Sequence, residues 1–538
     1  MVKRWLYFSL LTVVASLSVV AAQGAIERIP DDLFPLTTEP KTLRVFIGMG
    51  NNPNVEDFAT NTFTKWYEEK TGVSVEFTVA SGTPQDVTQA INLMLASGNY
   101  PDIILNGGVS TSQLALYGAQ GIFLPLNDLI EKVGVETKEI FEIYPQARQV
   151  STAPDGNIYG LPEVNVCYHC TLAAKMWIYQ PWLDKLGLEM PTTTEEFKAV
   201  LQAFKTQDPN GNGQADEIPL ATTPTGWNSR IDIYLGSAFI TNNDTRRYLN
   251  DGVVDVTFNK PEYREALRYL NSLYAEGLLA PESLTQDQDG IDRMLRSEEV
   301  TVGAVPQGWM SAFVDTIGKD GSRFNEYVTV PPLEGPGGHR EMPLYAYQVA
   351  PGKCIITAAT SDPELALRWC DAMGNEEVQL NAYLGVQDQD WRWATPDEIG
   401  INGEPAWYVP LTQWGTVQNI QWSQANLSYR TDAFRLGEKR QSDGDLEVWL
   451  YDQSKKIEPY AQAVENVVPP LYFTAEQAQE LADVEATITR FVDESMSRFI
   501  NGDDDINDDA AWETYLATLE QMGLPRMLEI YQAAYAPN

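Results

Sequence analysis

The feature that most constrains the fold is an alternation of strand-like and helix-like segments that begins near Thr42. Residues 43–47 (LRVFI) form an apolar run typical of a buried strand, and residues 73–77 (VSVEF) alternate as a half-buried strand does. Aromatic residues at near-helical spacing separate these two runs. A second helix is expected over 83–98, followed by a third strand over 101–105. Strands that alternate with helices pair in parallel, which predicts an α/β fold.

The rest of the chain predicts further α/β structure and then a helical end. Helices are expected after Thr193, over 261–279 and over 363–373, and a strand over 351–357. The final helices share an apolar stripe made of Ile488, Phe491, Val492, Met496, Phe499 and Ile500. Since no repeat or low-complexity linker divides the chain, we expect one compact body.

The first 22 residues predict a signal peptide. Lys3 and Arg4 precede an apolar stretch over residues 5–22, which ends in small residues before Gln23. The stretch is long enough that an uncleaved membrane tether is the alternative. No cysteine lies near the cleavage site, so a bacterial lipid anchor is not expected. The chain is therefore predicted to be exported, to the periplasm or the cell surface.

The charge balance excludes several classes of function. The chain has 37 basic and 75 acidic side chains, a net charge of −38, and so lacks the basic surface that a nucleic-acid-binding protein needs. It has only two histidines, which disfavours histidine-based catalysis and histidine-rich metal sites.

Residues 208–217 (DPNGNGQADE) predict a calcium site. Oxygen ligands fall at positions 1, 3 and 5 and a glycine at position 6, as in the first half of an EF-hand loop. The second half departs from that pattern, because position 12 is Pro219, which cannot bind a cation. The alternative is a polar turn without an ion. The candidate ligands are Asp208, Asn210, Asn212, Gln214 through its main chain, Asp216 and Glu217. A site with these ligands would be structural.

The four cysteines of an exported chain favour disulfides. Cys167 and Cys170 form a C-x-x-C that encloses His169; a short disulfide is favoured over free thiols, a metal site or a redox pair. Cys354 and Cys370 lie in a predicted strand and the next predicted helix. They can bridge only if that helix packs closely on its strand.

Tryptophans in the second half of the chain mostly sit among glycine, amide and acidic residues. Such loop aromatics suit sugars, because the ring covers the apolar face of a pyranose while polar neighbours bind its hydroxyls. The alternative is that these rings fill the core. The group consists of Trp227, Trp309, Trp391, Trp393, Trp407, Trp414 and Trp422. Four others lie in helical patterns and are expected in the core: Trp66, Trp177, Trp369 and Trp449.

Templates for catalysis are mostly missing. The sequence has no G-x-S-x-G, P-loop, H-E-x-x-H or G-x-G-x-x-G motif. A glycosidase needs only two carboxylates, and a chain with 75 acidic residues always offers candidates, so their presence decides nothing. The acidic run over 503–509 is most simply a surface loop.

Four segments give the chain a resemblance to a known family. They are residues 159–170, 176–197, 208–219 and the tail from 499 to 535. On these segments the chain resembles the extracellular solute-binding proteins, family 1, of bacterial ABC sugar importers. It is most similar to their long, calcium-containing branch, which includes alginate-binding proteins.

The resemblance implies a two-lobed periplasmic-binding-protein fold of type II, with a ligand cleft between lobes joined by hinge strands. Residues 41–160 and 345–395 would form the N-terminal lobe, and 161–344 and 396–538 the C-terminal lobe. Lobe closure around an oligosaccharide would present a shape that the transmembrane permease subunits recognise. No chemistry, no nucleic acid and a monomeric state are expected.

The resemblance also suggests where ligand would bind. The expected ligand-binding residues are Asn51, Glu163, Asn165, Trp227, Trp309, Trp391 and Trp393, and it implies the same six calcium ligands, Asp208 to Glu217. The alternative functions are a secreted carbohydrate-active enzyme and a surface glycan receptor without a transporter.

Overall fold

The fold is taken from a computed structural model that describes residues 33–49, 55–82, 84–316, 322–346, 348–412, 418–440 and 446–535. The predicted signal peptide, 1–22, lies outside these residues. Within them, no helix is both long and apolar enough to cross a membrane. The strands are β1 Lys41–Gly48, β2 Val73–Ala80, β3 Ile103–Leu105, β4 Leu161–Asn165, β5 Met176–Tyr179, β6 Ile218–Leu220, β7 Arg247–Asn250, β8 Val253–Val256, β9 Val302–Pro306, β10 Tyr327–Val330, β11 Val349–Ile356, β12 Trp391–Trp393, β13 Tyr408–Pro410 and β14 Tyr429–Arg430. The helices are α1 Thr62–Thr71, α2 Pro84–Ser97, α3 Thr111–Ala119, α4 Asn127–Val133, α5 Glu136–Ile143, α6 Pro145–Ser151, α7 Tyr168–Thr171, α8 Gln180–Leu186, α9 Thr194–Thr206, α10 Ile231–Gly236, α11 Pro261–Ala275, α12 Gln288–Leu295, α13 Pro363–Asp371, α14 Glu376–Leu384, α15 Asp432–Leu436, α16 Leu446–Ile457, α17 Ala475–Asn501, α18 Asp509–Gln521 and α19 Leu524–Tyr535.

A six-stranded sheet organises the first lobe, in the order β14-β4-β11-β3-β1-β2. Strand β1 pairs in parallel with β2 and β3, as the alternating pattern predicts. Strand β11 is antiparallel to both of its neighbours, β3 and β4. The sheet is therefore mixed, and the α/β prediction is confirmed.

Successive residues of the central strands fill two different cores. Val45 and Ile47 of β1 belong to one buried cluster, whereas Phe46 belongs to the cluster on the other face. Strand β3 divides in the same way, with Ile104 on the side of Phe46. Since both faces of the sheet are covered, its strands read as continuous apolar runs.

A four-stranded sheet, β10-β5-β9-β6, organises the second lobe and carries the largest core. The C-terminal helices complete this core. The stripe predicted on α17 is buried at Ile488, Val492, Met496, Phe499 and Ile500 and partly buried at Phe491.

The described part of the chain passes between the sheets three times, from β4 to β5, from β10 to β11 and from β14 to α16. Helix α16 packs against the second lobe, where the Gln453 side chain accepts a hydrogen bond from the Thr329 N–H of β10, at 3.0 Å.

The lobe limits differ from those expected. Strands β4 and β14 were expected in the C-terminal lobe, but β4 pairs with β11 and draws β14 into the first sheet. The remaining limits stay a prediction.

Two disulfides are present. Cys167 and Cys170 bridge across a Cα–Cα distance of 5.1 Å, at the start of the first crossing between lobes. Cys354 and Cys370 bridge across 6.4 Å. Helix α13 packs closely enough on β11 to meet the condition that the sequence set for this second bridge.

A buried carboxyl pair in the first lobe makes stability depend on pH. The Asp371 carboxylate accepts hydrogen bonds from the N–H groups of Val135, Glu136 and Thr137, which start α5. The Glu136 side chain is itself buried beside Asp371, and burial followed by that negative charge raises its pKa to about 9. Glu136 is therefore protonated in the folded protein at neutral pH.

We expect Glu136→Gln to stabilise the protein at pH 7 by up to about 3.5 kcal/mol, since pH 7 lies about 2.5 units above the ordinary pKa of 4.5 and each unit corresponds to about 1.4 kcal/mol. Between pH 4.5 and 9 the folded state keeps a proton that the unfolded state releases, so stability falls as pH rises through this window. Urea unfolding at pH 5 to 8 measures the effect, with the exposed Glu142→Gln on the same helix as control. Equal pH slopes in the two variants would contradict the assignment.

Candidate functional site

Two neighbouring strands hold the predicted calcium loop and the predicted ligand aromatics at opposite ends. Strands β6 and β9 pair in parallel. The loop 208–217 precedes β6 and Glu299 precedes β9, whereas Trp227 follows β6 and Trp309 follows β9. Strand β9 has five residues, which span about 17 Å. The two groups are thus separated by roughly the length of a strand.

The loop folds around the side chain of Asp208. Its carboxylate accepts hydrogen bonds from the N–H groups of Gly211, at 2.9 Å, and Gly213, at 3.1 Å. Both glycines have positive φ, 81° and 74°, which a residue with a side chain rarely adopts. The glycine-rich sequence therefore lets the loop curl around its first carboxylate.

The side-chain amides of Asn210 and Asn212 donate to the carboxylates of Asp216 and Glu299. Asn210 and Asn212 donate to the Asp216 carboxylate at 2.8 and 3.0 Å, and these bonds lower the pKa of Asp216. Asn212 also donates to Glu299 at 2.8 Å. Glu299 was not anticipated from the sequence, because it lies 87 residues away and carries no motif of its own.

One buried carboxylate oxygen of the loop has no hydrogen-bonding partner. It is Oε1 of Glu217. An unpartnered buried carboxylate oxygen is costly unless a cation compensates it. Together with the oxygen-rich composition of the loop, it matches the donor chemistry that a hard cation such as Ca²⁺ prefers, although no three of the described loop carboxylates have oxygens within 4.8 Å of one another, so the loop would have to tighten around an ion.

Trp227 presents a large aromatic surface to solvent, since its residue surface is 46% exposed. The indole lies over Gly308, where a Cβ would overlap the ring. The Gly308 N–H also donates to the Trp227 carbonyl at 2.9 Å. The segments that follow β6 and β9 therefore support Trp227 together.

The same two segments contain buried polar groups without partners. The side-chain amide oxygen and nitrogen of Gln307 are both buried without a hydrogen-bonding partner, and the residue is only 2% exposed. The Nη2 atom of Arg230 is also buried without a hydrogen-bonding partner, whereas its Nε lies 3.5 Å from the Asp232 carboxylate. Buried donors and acceptors of this kind are normally satisfied, so a hydroxyl-rich ligand or water is expected to bind them.

A cavity of about 360 Å³ lies beside this region, and Asp244, Tyr345 and Leu471 are among its lining residues. The Tyr345 hydroxyl donates to Asn228, which follows Trp227 in the chain. Burial raises the pKa of Asp244. Asp244 and Tyr345 could not be found from the sequence, because a single Asp or Tyr in a loop gives no signal until the fold brings it next to an aromatic segment.

The predicted tryptophans separate into two groups. Trp309 is partly buried against the second core and lies next to Gly308. Trp391, by contrast, is fully buried, and its indole N–H donates to the Gly385 carbonyl at 3.0 Å. Trp393 packs edge-on against Trp391, with ring centroids 5.0 Å apart. The prediction that Trp391 stacks on a ligand is therefore wrong for this structure, since its ring fills a small core between β12 and α14.

Of the other tryptophans proposed for the cleft, one is buried in the core and one lies outside the described residues. Trp422 is fully buried and donates to the Thr64 hydroxyl at 2.8 Å, so it too belongs to the core. Trp414 lies outside the described residues. Trp66, expected in the core, is only partly buried at its edge.

Glu163 and Asn165 lie on β4, at the start of the first crossing. The Glu163 carboxylate accepts from the buried Lys353 ammonium at 2.9 Å. Asn165 accepts from Arg430 at 3.4 Å. Both side chains thus have protein partners, and any ligand contact would share them. Asn51, the other expected polar residue, lies outside the described residues.

The C-x-x-C segment was also considered as a metal site. Within the part of the chain that the structure describes, the ligand atoms of Cys167, His169 and Cys170 lie close enough together to hold an ion. Because the two sulfurs are bonded to each other, they are not available as thiolate ligands.

The chain is similar in sequence and fold to known solute-binding proteins. Residues 52–380 match the family model for the bacterial extracellular solute-binding protein. The fructooligosaccharide ABC transporter substrate-binding protein FusA of Streptococcus pneumoniae serotype 4 is 29% identical over 546 residues, which is 97% of this chain and 96% of FusA.

Solved structures show the same fold. FusA in complex with kestose has a TM-score of 0.73 at 26% identity, covering 92% of this chain and 99% of that one. An extracellular solute-binding protein from Bifidobacterium longum subsp. infantis has a TM-score of 0.78 at 24% identity, covering 92% and 98%. Both are similar over nearly the whole of their own length. With more than half of its residues matched by the family model, this chain is a member of the bacterial extracellular solute-binding protein family.

Proposed function

We propose that the protein is the substrate-binding component of a bacterial ABC importer and that it binds an oligosaccharide between its two lobes. The observation that carries the proposal is the half-exposed Trp227, which is supported by Gly308. The two segments that support this ring also contain the buried, unpartnered side-chain amide of Gln307 and Nη2 of Arg230. An exposed flat ring suits the apolar face of a sugar, and polar groups in the same segments suit its hydroxyls.

Closure of the lobes would follow from differential binding. A ligand can shift a protein toward its closed state only if it contacts that state better than the open one. Trp227 is in the second lobe, while Glu163 and Asn165 are in the first sheet. A ligand that reached both groups would make its full set of contacts only when the lobes approach each other.

Short fructooligosaccharides are the first ligands to test. The relative FusA is named for this class of ligand, and one of its structures contains kestose. The net charge of −38 gives no reason to expect an anionic glycan. The identity of the sugar is thus a proposal by similarity, and the aromatic segment is its support in this chain.

The loop 208–217 would hold Ca²⁺ as a structural ion. Asp208, Asn210, Asn212, Asp216 and Glu217 would supply side-chain oxygens and Gln214 its main-chain carbonyl, with Glu299 as a neighbour. A FusA structure described as an EF-hand mutant supports the proposal for this chain. The bound ion would supply charge that compensates the carboxylates gathered in the loop.

Export and the lack of chemistry complete the proposal. The family is extracellular, which supports a mature protein in the periplasm or at the cell surface, either released or tethered by its N-terminal segment. The relative is a transporter component rather than an enzyme, which supports a partnership with permease subunits. We infer that the protein acts as a monomer and does not bind nucleic acid.

A thermal-shift screen tests the ligand class. We expect kestose or a longer fructooligosaccharide at about 100 times its Kd to add roughly 2.7 kcal/mol to the free energy of unfolding. Acidic glycans at the same concentration serve as controls. If no neutral or acidic oligosaccharide shifted the melting temperature, the proposed ligand class would be wrong.

A further inference from the structure

The proposed stacking residue, Trp227, is supported from a second side by His169. The His169 and Trp227 ring centroids are 6.4 Å apart, and the ring planes are nearly perpendicular, at 84°. This is the edge-to-face arrangement that aromatic rings favour. A half-exposed indole on a loop needs such support, because binding to a ring that is already oriented costs less conformational entropy.

His169 itself is held by the segment that crosses between the lobes. It lies on α7, a four-residue helix, and the disulfide joins Cys167, immediately before the helix, to Cys170 within it. The Cys170 sulfur lies 3.9 and 3.8 Å from the two imidazole nitrogens. The buried Lys175 ammonium donates to the His169 carbonyl at 2.7 Å. The ring and the backbone of His169 are therefore both fixed.

His169 acts as a neutral ring in this position. The residue is buried, and burial lowers its pKa to about 3, although Glu447 lies 3.8 Å from Nε2 and opposes the shift. At neutral pH the imidazole thus offers an aromatic edge to Trp227 rather than a cation. A phenylalanine could provide the same edge, whereas alanine could not.

We propose that His169 is a positioning residue which, held by the Cys167–Cys170 disulfide, orients Trp227 for ligand binding. The inference rests on the proposed function of Trp227 as a stacking residue. It adds a role for the C-x-x-C segment, so that affinity for the sugar depends on an intact bridge.

The bridge can be opened selectively. Cys170 is partly exposed, whereas Cys354 and Cys370 are fully buried. An added dithiol such as dithiothreitol would attack the Cys170 sulfur and release the Cys167 thiolate. A second attack within the mixed disulfide would then leave two protein thiols and an oxidised, cyclic dithiol. Mild treatment should therefore reduce this bridge before the core bridge.

A test without any ligand follows the resonance of Trp227. The protein is labelled with 5-fluorotryptophan, and the ¹⁹F signal of Trp227 is identified by its loss in Trp227→Phe. We expect His169→Ala and mild reduction each to shift or broaden that signal, while His169→Phe leaves it close to the wild-type position. His339→Ala, at the other histidine, is the matched control. An unchanged Trp227 signal in His169→Ala would overturn the proposal.

Titration with kestose then tests the consequence for binding. We expect His169→Ala to weaken affinity about 3- to 10-fold and His169→Phe to retain affinity within about 2-fold, the range expected for one aromatic pair. Equal losses in both variants, or none in His169→Ala, would contradict positioning by the ring. If kestose did not bind even the wild type, only the sugar assignment would fail, and the fluorine signals would still decide the role of His169.

Discussion

Replacing Trp227 by alanine is expected to weaken oligosaccharide binding by about 30-fold or more. Trp227 is 46% exposed, and the segments that support it also contain the buried polar groups of Gln307 and Arg230. Loss of a well-oriented anchor of this type costs on the order of 2 kcal/mol or more in binding interfaces. Isothermal titration of the Trp227→Ala variant measures the change directly.

Two controls separate stacking from folding. Trp227→Phe keeps a smaller aromatic face and should lose less affinity than the alanine variant. Trp391→Phe changes a ring that is fully buried in a small core. It should therefore lower the melting temperature clearly while changing sugar affinity little. A loss of less than about 3-fold in Trp227→Ala would remove Trp227 from the binding site.

Removal of calcium is expected to lower the melting temperature by about 2 to 3 °C while leaving sugar affinity nearly unchanged, since the unfolding entropy of a chain of this size is roughly 1 kcal/mol/K. An ion present at 100 times its Kd adds roughly 2.7 kcal/mol to the free energy of unfolding, and that contribution disappears with a chelator. Affinity should persist because the loop and Trp227 lie at opposite ends of β6. Differential scanning calorimetry with and without a chelator measures the change.

The Asp208→Ala variant makes the same test specific to the loop. Asp208 accepts two hydrogen bonds from the loop backbone and supplies position 1 of the motif. We expect the variant to melt lower and to lose its response to calcium. Loss of sugar affinity at unchanged stability would show that the ion belongs to the ligand site instead.

Local patterns in the sequence were sufficient for much of the fold. The alternation around β1, β2 and β3 predicted their parallel pairing, because each strand and its helix are adjacent in the chain. The glycines that follow Asp208 similarly predicted a tight turn there, which the structure shows, while its calcium stays a prediction. In each case the residues that determine the structure lie within a few tens of positions of one another.

Features that depend on distant residues could not be predicted. Glu299 reaches the calcium loop only because β6 pairs with β9. Strand β4 was assigned to the wrong lobe because its partner, β11, lies almost 190 residues later in the chain. Trp391 has polar neighbours in sequence, as Trp227 does, yet it is buried by α14 and by a hairpin of β12 and β13. The sequence around each ring could not distinguish these outcomes.

The central claim is that this protein binds an oligosaccharide without altering it. The most direct measurement is isothermal titration of the calcium-loaded protein with kestose, followed by chromatography of the recovered sugar. We predict saturable binding to one site and quantitative recovery of intact kestose. Recovery of smaller sugars would identify an enzyme, and heat changes no larger than dilution for every oligosaccharide tested would contradict a sugar-binding function.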